Sequence, residues 1–144
     1  VLVSEEVALA HPALPGGENM GPRNVLHVHD LVDYVTEESE QCGTEVCRYL
    51  RGELGGPRFP VSAGSNVKYV VPNTWEGGRD LHLYLRPLIV KNKAELVVTL
   101  NGEAILRKKL THVQPSEMIS VSLEAGRIGV GAVQRENRIQ VGLE

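Results

Sequence analysis

Two cysteines, Cys42 and Cys47, are all that this 144-residue chain contains, too few for a disulfide scaffold. Placed five apart on one helix, their Cα atoms stand about 8.7 Å from each other. That exceeds the ~7 Å reach of a bridge, so both read as small buried side chains. Basic charge is not in excess: 15 Lys and Arg against 18 Asp and Glu leave a formal −3. Without a basic patch or stripe, nucleic acid and anionic membrane surfaces are excluded as partners. The one basic run, Arg107-Lys108-Lys109, has no interleaved aromatics for base stacking and reads as a solvated or edge-protecting strand.

Long apolar runs are lacking too, so no membrane span is expected. The apolar start Val1-Leu2-Val3 is followed by Glu5 and Glu6, whereas a secretory signal needs a basic region and a longer apolar stretch; a cytoplasmic protein is expected. No Gly-x-Gly-x-x-Gly occurs. The nearest match, Gly129-Val130-Gly131, carries Gln134 at the third glycine and is followed by too few residues for a βαβ unit. A Gly-x-Ser-x-Gly elbow and a Cys-His signature are both missing, so Ser4, Ser39, Ser62, Ser65, Ser116, Ser120 and Ser122 read as turn or solvent-face residues. No catalytic residue is assigned.

What is present is the mixture of a globular protein, 42% hydrophobic and 23% charged, enough for one ordinary domain or two very small ones. Residues 1–23 hold Pro12, Pro15, Gly16, Gly17, Gly21 and Pro22, a density of breakers that makes them an irregular arm. Residues 24–54 change character. Asn24 to Val28 is β-like, and Asp33 offers an N-cap to a helix running to about Leu50 or Glu53. Leu31, Val35, Ser39, Cys42, Val46 and Leu50 recur at spacings of four and three and form its apolar face. Glu37, Glu38, Gln41, Glu45 and Arg48 form the opposite, solvated face, and Gly52 supplies a stop.

Residues 55–65, opening with Gly55-Gly56-Pro57, read as a linker. From 66 to 144 the period becomes two. Val67–Val71 and the sets Leu81/Leu83/Leu85, Ile119/Val121/Leu123 and Ile139/Val141/Leu143 mark half-buried strands. Leu96 to Leu100 and Glu103 to Lys109 flank Asn101-Gly102, the dipeptide of a type I′ hairpin, with Val98 expected opposite Ile105 and Val97 opposite Leu106. The expected fold class is α+β: one long amphipathic helix plus a small antiparallel β-sandwich or barrel-like domain.

The stretch from Asn24 to Glu38, Asn-Val-Leu-His-Val-His-Asp-Leu-Val-Asp-Tyr-Val-Thr-Glu-Glu, resembles the last flavin-contacting segment of the NAD(P)- and FAD-dependent pyridine-nucleotide oxidoreductases with two dinucleotide folds. Val67 to Pro72, Leu83 to Arg86, Arg107 to Lys109 and Pro115 to Met118 are similar to the β tail that some members append, so the resemblance runs from about Asn24 to the C-terminus. It implies that Asn24 contacts the ribityl chain, and that Val35 and Thr36 offer backbone N–H groups near the isoalloxazine. Helix N-terminal donors and the positive dipole end stabilise acceptors and developing negative charge there. Arg23 stands where the family has Gly, and Ser116 replaces a Gly of the tail.

The resemblance implies a fragment or accessory part of such an enzyme, inactive alone and binding FAD only if the dinucleotide domains are supplied. A complementary flavoprotein chain, or a homo-oligomer, would then cover the helix face. A second reading from another class is a non-catalytic β-sandwich module for protein interaction or self-association. His27-Val28-His29-Asp30 could place two imidazoles on one side of a strand, but two ligands do not make a metal site, and none is assigned.

Overall fold

The computed structural model describes residues 29–53, 57–128 and 137–144. The arm at 1–23, the β-like residues 24–28 and the Gly129-Val130-Gly131 loop lie outside them. The chain divides into two units, Val1–Gly55 and Gly56–Glu144.

In the first unit, helix α1 spans Val32–Leu50. Leu31, with extended backbone, is its N-cap and makes no side-chain capping bond, so the helix starts before Asp33, the expected cap. Asp33 lies in the first turn instead, where its charge still faces the positive end of the dipole. At the other end Gly52 adopts φ +70, its amide donates to the Tyr49 carbonyl and the Glu53 amide donates to that of Arg48. This is a Schellman closure, and glycine supplies the left-handed residue it requires.

The covered stripe of α1 is rotated from the one the apolar spacing predicts. Glu38 and Cys42 are buried and Val35, Glu45 and Val46 half-buried, whereas Leu31 and Leu50 are 54% and 76% exposed. The rotation is possible because the acids it draws in have partners: Glu38 meets His29 and Glu45 accepts from Arg48 at 2.8 Å. A buried carboxylate is tolerable when it is paired and hydrogen-bonded. Both thiols are free, but Cys47 is exposed rather than buried.

The second unit holds eight described strands: β1 Arg58–Ala63, β2 Val67–Val71, β3 Thr74–Glu76, β4 Leu81–Pro87, β5 Lys91–Leu100, β6 Glu103–Val113, β7 Ile119–Leu123 and β8 Ile139–Leu143. A five-stranded sheet has the order β3-β1-β8-β5-β6 and a three-stranded sheet the order β2-β4-β7. All pairings are antiparallel except β1 with β8. The inner faces share one core, in which Phe59, Leu83, Leu85, Leu96, Val98, Ile139, Val141 and Leu143 are almost wholly buried.

Strand β1 corrects the reading of 55–65 as a linker. Pro57, Pro60 and Gly64 give the segment the look of a breaker, yet Phe59 and Val61 alternate inward between them. Pro60 lies exposed opposite Thr74 at the register with β3, a strand of three residues. The Phe59 and Trp75 rings pack with centroids 5.6 Å apart, and the Trp75 indole N–H donates to the Arg79 carbonyl at 2.8 Å.

At the β5–β6 hairpin Asn101 and Gly102 have φ +53 and +87, the two positive values of a type I′ turn. Leu100 pairs with Glu103 and Thr99 with Ala104. The register then shifts between Val98 and Thr99, so that Val98 faces Leu106 and Val97 faces Arg107. The expected pairs, Val98 with Ile105 and Val97 with Leu106, hold only without this bulge. Its effect is to bring Leu106 to the core side and turn Arg107 out, where it bonds Glu95 at 2.8 Å. β6 is a sheet edge, which accounts for its basic run.

Candidate functional site

Of the residues singled out by the sequence, Val35 and Thr36 lie in the early turns of α1. Asn24 is outside the described residues. The helix begins at Val32, so the amides that geometry leaves without an intrahelical carbonyl include those of Val32 and Asp33. Val35 and Thr36 come after this open set, at the positions where the amides reach back to the Leu31 and Val32 carbonyls within the helix. The Thr36 hydroxyl donates to the Val32 carbonyl at 3.2 Å, and the Val35 backbone carbonyl accepts the Ser39 hydroxyl at 2.6 Å. What the helix start offers a ligand is therefore backbone N–H and dipole, with Asp33 adding a negative charge beside them.

One contact fixes how the preceding segment meets this helix. His29 Nε2 and Glu38 Oε2 are 2.5 Å apart, with side-chain exposures of 1% and 11%. The pair joins a residue that precedes α1 to the helix's second turn across nine positions of sequence. It engages one of the two imidazole nitrogens, and among the described residues no group of three or more His, Cys, Asp or Glu converges to hold a metal. His27 lies outside them. Periodicity placed Glu38 on the solvated face because spacing reports the helix's own pattern and carries no trace of a partner outside it.

In the second unit, three of the four tail-like segments come together on the outward face of the three-stranded sheet. Directly opposite residues of an antiparallel pair share a face, and the register sets Tyr69 beside Arg86, Val71 beside Tyr84 and Tyr84 beside Ser120. Arg86 Nε donates to the Tyr69 hydroxyl at 2.9 Å, and its Nη1 donates to the Pro115 carbonyl at 3.1 Å. A planar guanidinium with fixed donors suits this double attachment. It clasps β2, β4 and the turn before β7 together. Tyr84 and Met118 are buried, although the same face carries exposed His82 and Ser122.

Ser122 Oγ lies 2.9 Å from His82 Nδ1, a pairing across β4 and β7 that the single sequence did not reveal. Hydroxyl activation also needs an acid to orient the imidazole. The nearby Asp80 carboxylate accepts the Ala125 amide at 2.8 Å, capping the 3₁₀ turn Ala125–Ile128. The pair thus lies on a solvent face, as expected for Ser122. His112 Nδ1 meets Asn92 Oδ1 at 2.7 Å, a second cross-strand surface contact.

No described helix is long and apolar enough to cross a membrane. No protein-family model matches the chain, and no curated protein or solved structure matches it significantly.

Proposed function

We propose that this chain is a fragment or accessory part of an FAD/NAD(P)-dependent oxidoreductase. The start of α1 faces the flavin, with Asn24 at the ribityl chain and the amides near Val35 and Thr36 toward the isoalloxazine, and the β unit serves packing or assembly. The observation that carries this reading is the fifteen-residue stretch Asn24 to Glu38. A helix that begins inside that stretch, at Val32, supports it by supplying the donors and dipole a flavin edge would use.

The chain contributes no catalytic residue of its own. Without a Gly-x-Gly-x-x-Gly fingerprint in these residues, the pyrophosphate cradle and hydride-donor site come from other domains. FAD titration followed by flavin fluorescence, with NAD(P)H oxidation monitored in parallel, tests this. Weak binding without turnover is expected. Stoichiometric tight binding accompanied by NAD(P)H oxidation would contradict it.

A second reading, a non-catalytic β-sandwich module for protein interaction or self-association, is favoured by a separate observation. Among the described residues the hydrophobic core cluster lies within residues 59–143, so the β unit builds a core from its own elements.

A further inference from the structure

Among the described residues the two sheets of the β unit have four edge strands: β3 and β6 on one, β2 and β7 on the other. Edge strands offer unpaired N–H and C=O groups to any other strand, and proteins blunt them with charge, bulges, proline or short length. Three of the four are blunted here. β3 is three residues long. β6 carries Arg107, Lys108 and Lys109, with Lys108 at the register of the core residue Leu96. β2 carries exposed Lys68 and a register irregularity between Val67 and Tyr69.

β7 has none of these devices. Its five residues, Ile119-Ser120-Val121-Ser122-Leu123, include no charge, proline or glycine. They pair with β4 in an unbroken register from Leu81↔Leu123 to Leu85↔Ile119. Among the described residues nothing pairs with the other side of β7.

The sequence of this strand is also self-complementary. A two-fold interface must match itself, residue i meeting j while j meets i. Antiparallel pairing about Val121 sets Val121 against Val121, Ile119 against Leu123 and Ser120 against Ser122. Valine and the two larger aliphatics then line up on the core side, and serine faces serine on the outward side, both favourable cross-strand combinations.

We propose that the chain pairs with a second copy of itself through the outer edge of β7, joining two three-stranded sheets into one of six strands. The inference deepens the second functional reading and rests on it, naming the surface through which the module self-associates; strand pairing needs no flavin, and FAD binding is measured separately. Five paired residues make a small interface, so the dimer is weak and concentration-dependent.

The test is sedimentation of the full chain over a concentration series, with two paired variants. In the dimer each position 120 lies opposite the partner's position 122. Ser120→Lys with Ser122→Lys sets like charges against each other, while Ser120→Glu with Ser122→Lys sets opposite charges there. Expected is a concentration-dependent dimer that weakens about tenfold in the first variant relative to the second. In the unaltered chain, hydrogen exchange at residues 119–123 slows as concentration rises. A monomer at every concentration, equal weakening in both variants, or a dimer whose 119–123 amides stay unprotected overturns the proposal.

Discussion

Glu38 is buried on the covered face of α1, where its carboxylate meets His29. Its carboxylate and His29 form a largely buried pair, and breaking such a pair leaves a buried polar group that must find another acceptor. Glu38→Ala is expected to destabilise the helical unit by about 1–3 kcal/mol, read as faster hydrogen exchange at residues 32–50 with exchange in the β unit unchanged. Wild-type exchange in that variant would mean that the contact contributes nothing. Nothing in the local sequence distinguishes Glu38 from Glu37. Both are acids in the early turns, and only the placement of His29, set by the path of the chain before the helix, separates the buried one from the exposed one. The same holds for Arg86, whose two acceptors lie 17 and 29 residues away.

Elements whose cause is local were legible. The helix ends where Gly52 can take a positive φ, and the β5–β6 turn falls on Asn101-Gly102 because both residues tolerate the left-handed region. Asn101 is further tied to the start of β8: its side chain donates to Asn137 at 2.7 Å and accepts the Arg138 amide at 2.9 Å. A Cβ built at Gly102 would meet nothing within 4 Å, so Gly102→Ala isolates the conformational cost. A loss of roughly 1–2 kcal/mol is expected in denaturant unfolding of the β unit; an unchanged midpoint would contradict the type I′ assignment. Elements whose cause is tertiary were not legible. β1 was hidden by Pro57 before it and Pro60 within it, because its place between β3 and β8, with Phe59 against Trp75, is fixed by strands elsewhere in the chain. The bulge in β5–β6 was hidden because it answers to the need to send Leu106 inward and Arg107 outward.

At the scale of the whole chain, the α+β class and the small two-sheet β unit could be read from the change of period between α1 and the strands. The candidate site was readable only as a stretch of sequence. Val35 and Thr36 enter it only through the proposed backbone role, and their side chains carry no chemistry that a pattern would single out. The reading of the helix start as a flavin-facing element therefore rests on whether its amides respond to the ligand. The most direct measurement is an amide-resolved NMR titration of the chain with FAD, carried to concentrations on the order of millimolar, where contacts worth only about 4 kcal/mol are still detected. The account predicts saturable shifts confined to Asn24 and the amides of residues 31–36, with the β unit unmoved. Shifts absent from those amides, or present only in the β unit, would contradict it.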